Sequence, residues 1–208
     1  MSHDGLGLPP NAFRKPDETD DAQFYVAPRF VTHIDDAAIA ALTAFYRRML
    51  PPGGVILDLM SSWVSHLPDD VVYGEVIGHG MNAEELAANP RLARYFVQNL
   101  NRDAKLPLED AGVDAVTICV SIQYLEHPVD VLRECVRVLK PGGVIVASFS
   151  NRCFPTKAVA IWQALGDEDH ARLVGMYMDR AGFSDVGAHL LVDGSVSDPM
   201  IAVMGRKA

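Results

Sequence analysis

The chain has 208 residues, of which 49% are hydrophobic and 22% are charged. This length suits one domain with a sizeable core, and the composition is typical of a globular protein in water. The formal net charge of −9 disfavours nucleic acid or an anionic membrane surface as the main partner. No stretch approaches the roughly 18 apolar residues of a membrane-spanning helix, so we expect no membrane association.

The cysteines and the first residues bear on the location of the protein. Cys119, Cys135 and Cys153 lack the spacing of metal ligands, and an odd number of cysteines suits a reducing compartment. Residues 1–15 lack the apolar segment of a signal peptide. We therefore expect a cytoplasmic protein, and we predict no metal site.

The N-terminal quarter of the chain divides into three parts. Residues 1–22 are rich in Pro, Gly and Asp with little periodicity, and they are predicted to form an extended or mobile arm. Residues 24–31 are dense in aromatic side chains that need a surface to pack on, so we expect them to cover the carboxyl edge of a sheet. Asp35 or Asp36 is predicted to begin a helix that runs to about Leu50.

The rest of the chain alternates between predicted strands and predicted helices. Apolar runs bounded by turn residues predict strands at Val55–Leu59, within Val71–Gly78, and at Tyr95–Leu100, Val113–Val120, Val144–Phe149, Val186–Leu191 and Pro199–Met204. Capping residues and helical periodicity predict helices from Ser61 or Ser62 to Leu67, from Asn82 onward, from Pro128 to Leu139, and over 156–165 and 167–181. This order predicts an α/β fold, a mostly parallel sheet with helices on both faces.

Four segments carry a resemblance to a known family. In chain order they are Val55-Ile56-Leu57-Asp58-Leu59, Leu106-Pro107-Leu108-Glu109-Asp110, Val113-Asp114-Ala115-Val116-Thr117 and Arg137-Val138-Leu139-Lys140-Pro141-Gly142-Gly143. Their order and spacing resemble the class I S-adenosylmethionine-dependent methyltransferases, particularly the type 11 methyltransferase-like group. The resemblance implies a three-layer, Rossmann-like fold with seven strands in the order 3-2-1-4-5-7-6 and strand 7 antiparallel.

The resemblance also implies how one domain over residues 1–208 is organised. Its parts would be a flexible arm (1–22), a lid and helix (23–50), a cofactor-binding half (55–150), and substrate-side helices with closing strands (151–208). The family holds S-adenosylmethionine across the carboxyl ends of strands 1, 2 and 4, as ligands sit in open α/β sheets generally.

Two positions depart from the family pattern. Where a glycine-rich turn usually follows strand 1, this chain has Met60, Ser61 and Ser62, whose hydroxyls could bond the carboxylate of the cofactor. Amides at the start of the predicted helix would also favour an anion. Where an acidic residue usually ends strand 2, this chain has Gly80; Glu75 is the nearby carboxylate, and His79 or Asn82 could supply a ribose contact.

The resemblance implies a set of cofactor-binding residues in the turns after the strands. They are Asp58, Met60, Ser61, Ser62, Gly80, Met81, Asn82, Ala104, Lys105 and Ser121. Asp58 would accept hydrogen bonds from turn amides or face the positive charge of the cofactor; the alternative is a helix-capping aspartate. The loop from Asn101 to Lys105 lies where the family contacts adenine, although an ordinary solvated loop is an equal alternative.

Other residues are predicted to act on the substrate. In the family the segment after strand 4 borders the transferred methyl group, so Tyr124 and His127 could orient or deprotonate a nucleophile, although His127 also suits a plain loop before a helix. Arg152 could clamp a carboxylate or phosphate, or form a surface salt bridge. Tyr25 and Arg29 could close the site from the lid, although packing alone would explain Tyr25.

The implied function is methyl transfer from S-adenosylmethionine to a small molecule. This reaction is an in-line displacement at carbon that needs mainly positioning, so the lack of an obvious catalytic triad is no obstacle. The alternative is a non-catalytic protein of the same fold that binds a ligand or a partner protein. A homodimer is also open, because residues 24–31 could pack on a second subunit.

Overall fold

The structure, a computed structural model, describes residues 6–208 and has one seven-stranded sheet. Its strands are β1 (Val55–Leu59), β2 (Glu75–Gly80), β3 (Arg94–Val97), β4 (Val113–Cys119), β5 (Leu139–Phe149), β6 (Ser184–Val192) and β7 (Met200–Arg206). They lie in the order β3-β2-β1-β4-β5-β7-β6, and β7 runs antiparallel to both of its neighbours. The predicted fold class and strand order are confirmed.

Helices cover both faces of the sheet. They are α1 (Asp21–Phe24), α2 (Asp36–Met49), α3 (Ala83–Ala88), α4 (Pro128–Val138), α5 (Ala160–Ala164) and α6 (Asp167–Ala181). Alternate residues of a strand point to opposite faces. Accordingly, Ile56 packs in one apolar cluster with Leu42 of α2, and Leu57 packs in the other with Leu132 of α4 and Val174 of α6.

The ends of the helices follow the predicted capping residues. Asp35 accepts a hydrogen bond from the amide of Ala38 and begins α2, and Asn82 accepts from the amides of Glu84 and Glu85 and begins α3. Pro128 is the first residue of α4, where its missing amide hydrogen costs nothing. Among the described helices, none is long and apolar enough to cross a membrane.

The helix predicted from Ser61 or Ser62 to Leu67 is wrong, because residues 61–67 are irregular. Tertiary contacts satisfy the polar groups that a helix would have paired. The carbonyl of Ser62 accepts from the side chain of Asn89, and the carbonyl of His66 accepts from the hydroxyl of Thr43. Without a helix here, the predicted site at its N-terminal amides does not exist.

The predicted extended or mobile arm needs correction for residues 6–22, while residues 1–5 lie outside the described part. The amides of Ala160 and Ile161 donate to the carbonyls of Arg14 and Ala12, so this segment is tied to the start of α5. The ammonium of Lys15 is buried and pairs with Asp21 at 2.7 Å. Bonds between distant residues leave no periodic pattern, which is why the sequence did not reveal them.

Candidate functional site

A cavity of about 560 Å³ opens where the carboxyl ends of β1, β2 and β4 meet. This volume lies in the range of sites for small molecules and cofactors. Its walls include most of the predicted site residues: Tyr25, Arg29, Asp58, Met60, Ser61, Ser62, Gly80, Met81, Asn82, Ser121, Tyr124 and Arg152. The edge of the sheet therefore brings together residues that are up to 127 positions apart in the chain, from Tyr25 to Arg152.

Three predicted site residues lie outside this cavity. His127 is exposed at the start of α4 and borders a separate, shallower depression. Ala104 and Lys105 belong to a loop that turns away from the cavity, and Lys105 is exposed. The cavity-facing residues of that region are instead Gln98, Asn99 and Asn101, because the loop enters the site before residue 104.

Backbone strain is concentrated around the cavity. Met60, His66 and Val120 all line it, and they have φ angles of 59°, 53° and 47°. Residues other than glycine rarely adopt this left-handed conformation, and a β-branched valine is the least suited to it. Such strain persists only where the surrounding structure imposes it, and it clusters at functional sites.

His79 fastens the turn after β1 to the neighbouring strands. Its Nδ1 accepts from the amide of Met60 at 3.1 Å, and its Nε2 donates to the carbonyl of Gln98 at 2.9 Å. Its own carbonyl accepts from the amide of Ser61 at 2.6 Å. Burial lowers the pKa of His79 to about 4, so the ring is neutral. Both ring nitrogens are engaged, so His79 supports the turn instead of offering the expected ribose contact.

The two departures from the family pattern are physically linked at Gly80. A Cβ at this position would lie 2.6 Å from the carbonyl oxygen of Ser61. The turn after β1, which has Met60, Ser61 and Ser62 where the family has glycines, thus approaches β2 so closely that only glycine fits at position 80. Glu75 does not replace the missing carboxylate, because it lies at the far end of β2 and pairs with Arg94 at 2.8 Å.

Asp58 is a buried carboxyl at the end of β1. It accepts hydrogen bonds from the hydroxyls of Ser61 and Thr117, the latter at 3.1 Å. Burial nevertheless raises its pKa to about 6, because the desolvation of the charge outweighs these bonds. It does not cap a helix, since residues 61–67 form none.

Glu85 is a site residue that the sequence reading missed. It is buried on α3 and lines the cavity, where its carboxylate accepts from the amide of Arg29 at 2.7 Å and from the hydroxyl of Ser62 at 2.6 Å. The available signal was its position three residues after the cap Asn82, where a glutamate often reaches back across the helix start. In this structure the Glu85 carboxylate instead bonds to the backbone of Arg29.

The lid consists of residues 24–34 and is held across the cavity by side chains of the sheet edge. Asn82 donates to the carbonyls of Tyr25 and Val26, and Trp63 donates to the carbonyl of Val31 at 3.0 Å. Asn82 is fully occupied by these bonds and by its cap, so it offers no spare group to a ribose. The expectation that residues 24–31 cover the carboxyl edge agrees with these contacts.

The predicted catalytic Tyr124 is a neutral phenol in the cavity wall. Burial raises the pKa of Tyr124 well above its usual value, and its oxygen accepts from the amide of Phe154 at 2.9 Å. Arg152, the predicted clamp, pairs with Asp198 at 2.8 Å while its side chain remains 63% exposed. The structure therefore shows the salt bridge that the sequence left as the alternative for Arg152.

Comparisons with known proteins agree with this geometry. Residues 61–147 match the family model described as a methyltransferase domain. A probable S-adenosylmethionine-dependent methyltransferase of Mycolicibacterium smegmatis is 47% identical over 75 residues, which are 35% of this chain and 29% of that protein. A malonyl-[acyl-carrier protein] O-methyltransferase of Marinomonas sp. is 33% identical over 66 residues, 32% of this chain and 24% of that one.

The chain therefore resembles the S-adenosylmethionine-dependent methyltransferases, over a match that covers less than half of its length. It spans less than a third of the length of those two relatives. Solved structures share its fold: an S-adenosylmethionine-dependent methyltransferase of Aquifex aeolicus has a TM-score of 0.59 and 16% identity, covering 90% of this chain and 97% of that one. Phosphoethanolamine N-methyltransferase 2 of Haemonchus contortus, in complex with S-adenosylmethionine, has a TM-score of 0.58 and 15% identity, covering 81% and 52%.

Proposed function

We propose that this protein is an S-adenosylmethionine-dependent methyltransferase that acts on a small molecule. The observation that carries the proposal is the cavity of about 560 Å³ at the carboxyl ends of β1, β2 and β4, many of whose lining residues lie within residues 61–147, which match the methyltransferase domain. Ligands of open α/β sheets occupy this place. The substrate is a separate matter, since only one of the two relatives is named for its acceptor, malonyl-[acyl-carrier protein], and both align over short segments.

The residues of the cavity fit the cofactor. Among the described residues, the buried hydroxyl of Ser121 has no hydrogen-bond partner, and it lines the cavity, so a ligand can supply one. Asp58, with its raised pKa, gains stability as a carboxylate when a positive charge approaches. Gly80 and Met81 would form the wall beside the nucleoside. When bound, S-adenosylmethionine supplies a methyl group on a positively charged sulfur.

The chain itself contributes position, exclusion of water and a place for a proton. The lid covers the cavity, which keeps water from competing with the acceptor. Two imidazoles line the cavity as neutral rings: burial lowers the pKa of His66 to about 4 and also lowers the pKa of His33. Either ring can accept the proton of an acceptor hydroxyl or amine, so they replace Tyr124 and His127 as the candidate bases.

Calorimetry with S-adenosylmethionine and S-adenosylhomocysteine tests the proposal. We expect dissociation constants on the order of 1–100 μM, near the range of ordinary enzyme substrates. Asp58→Asn should weaken binding by at least about tenfold, because it removes a charge that faces the cavity. Asp69→Asn is the matched control, since Asp69 is exposed and lies outside the cavity. Binding only at millimolar concentrations would contradict the proposal, and equal affinities of the two variants would contradict the role of Asp58.

A second function has one observation in its favour. The amide of Met60 and the hydroxyls of Ser61 and Ser62 already bond to the protein, which suits a ligand-binding protein without transfer activity. Incubation with methyl-labelled S-adenosylmethionine and a panel of small alcohols, amines and phenols separates the two functions. Labelled product supports the methyltransferase, whereas tight binding with no product across the panel favours the non-catalytic protein.

The quaternary structure remains a proposal. Val26, Phe30 and Val31 of the lid are 72%, 51% and 55% exposed, which leaves apolar surface for a second subunit. Sedimentation of the purified chain tests the proposed homodimer, and a monomer at high concentration contradicts it.

A further inference from the structure

Four donors of the turn after β1 are already bonded within the protein. The amides of Met60 and Ser61 donate to His79. The hydroxyl of Ser61 donates to Asp58, and the hydroxyl of Ser62 donates to Glu85. No helix begins here to align its amides on an anion, so a cationic side chain elsewhere in the cavity is the stronger anchor for a carboxylate.

The cavity wall contains two guanidinium groups, and they differ in their partners. Arg152 is neutralised by Asp198 at 2.8 Å. Arg29 forms no ion pair with any carboxylate of the described residues; its guanidinium donates to the carbonyls of Phe24 at 2.8 Å and Ala27 at 3.3 Å. A partly buried guanidinium with no carboxylate bonded to it is unusual, because a charge loses hydration on burial unless something compensates it.

Arg29 is also held in a fixed orientation. Its guanidinium lies 4.4 Å from the ring centre of Phe24 and 5.4 Å from that of Phe154. The nearby carboxylate of Glu85 bonds to the backbone amide of Arg29 and leaves the guanidinium hydrogens free. Three of its five hydrogen-bond donors remain, and a planar, stacked guanidinium with free donors matches a carboxylate.

We propose that Arg29 binds a carboxylate of the ligand in this cavity. The proposal rests on the proposed function, and the carboxylate has two sources, the amino-acid part of the cofactor or the methyl acceptor. Arg29 would then be supplied by the lid, so binding of the ligand and closure of the lid would be coupled through one side chain.

Two nucleosides isolate the cofactor's carboxylate. S-adenosylhomocysteine carries it, and 5′-methylthioadenosine keeps the adenosine and the thioether without it. In calorimetry, Arg29→Gln should weaken the binding of S-adenosylhomocysteine by about 10- to 100-fold, because charge-assisted hydrogen bonds are lost. The affinity for methylthioadenosine should change by less than about threefold. Arg29→Lys should recover part of the lost affinity for S-adenosylhomocysteine. A merely structural role of Arg29 would weaken both nucleosides equally.

Arg91→Gln is the matched control. Arg91 also stacks on an aromatic ring, that of Tyr73 at 5.7 Å, and it also donates to two carbonyls, those of Pro68 and Val71. It does not line the cavity, so its replacement should leave both affinities unchanged.

A second arm tests a carboxylate of the acceptor. With S-adenosylhomocysteine bound, benzoate and benzamide probe the remaining space, and Arg29→Gln should abolish a preference for benzoate. Loss of the carboxylate preference in either arm supports the proposal and names the source; an unchanged preference in both arms overturns it. Failure of the unmodified protein to bind either nucleoside contradicts the proposed function instead, and benzoate without nucleoside then decides the role of Arg29.

Discussion

Replacement of Gly80 tests how the site is built. In Gly80→Ala the added Cβ would lie 2.6 Å from the carbonyl oxygen of Ser61, whereas ordinary van der Waals contact begins near 3.4 Å. The obstructing atom belongs to the backbone, and His79 holds that backbone through the amides of Met60 and Ser61. The turn must therefore shift against its own hydrogen bonds, and the variant should be less stable.

The magnitude follows from overpacking by one methyl group. Such insertions into an ordered interior cost about 1–3 kcal/mol of the free energy of unfolding. For a chain of this size, each kcal/mol lowers the melting temperature by about 2–4 °C, so a fall of about 2–12 °C is expected. Gly80→Asp restores the residue type that the resemblance leads one to expect, but it meets the same obstruction and should lose at least as much.

Urea unfolding compares Gly80→Ala with a matched strand glycine. At Gly187 of β6 an added Cβ meets no atom within 4 Å. Gly187→Ala should therefore leave the stability unchanged or raise it by up to about 1 kcal/mol, because alanine restricts the unfolded chain. S-adenosylhomocysteine affinity should also fall in Gly80→Ala, since the moved turn forms a wall of the cavity. Equal unfolding midpoints for the two variants would refute the close approach of the turn to β2.

Two further predictions concern buried charge. His79 is neutral in the fold with its pKa lowered to about 4, so it binds a proton more readily when unfolded, and stability is lost as pH falls from about 6.5 towards 4. Between pH 7 and 4.5 the free energy of unfolding, measured with urea, should fall by about 2 kcal/mol more for the unmodified protein than for His79→Asn. Parallel dependence of the two free energies on pH would contradict this. Lys157 is fully buried and lies 3.4 Å from Asp21, so Lys157→Met should cost about 3 kcal/mol by leaving that carboxylate with one partner fewer. Exposed Lys105→Met is the control and should cost less than about 0.5 kcal/mol, and equal effects of the two lysine replacements would refute the buried pair.

Patterns within a few residues predicted much of the fold. The apolar run Val55–Leu59 is β1 residue for residue, and the caps Asp35 and Asn82 begin the helices that they were expected to begin. These signals are local, because a strand alternates every second residue and a cap bonds an amide two or three positions away. Family-like segments then supplied the strand order, which no local pattern contains.

Local patterns failed where distant residues decide the conformation. Ser61 followed by an apolar run suits a helix start, yet His79, 18 residues later, takes the amide of Ser61 and holds the turn in an irregular path. Lys15 and Asp21 suit a solvated arm, yet they meet in a buried pair. Hydrogen-bond and ion-pair partners that are distant in the sequence become known only from the folded structure.

The sequence by itself determined the strands and most helix ends, and its resemblance to a known family implied the place of the cavity and most of the residues around it. Those residues come together because the carboxyl ends of parallel strands meet at one edge of the sheet. Only the tertiary structure decided which of those residues have groups to spare for a ligand. Residues that are distant in the sequence become hydrogen-bond partners only in the folded chain. The side chains of Ser61, Ser62 and Asn82 therefore bond to other parts of the protein. Ser121 and Arg29 keep unpaired donors in the wall of the cavity.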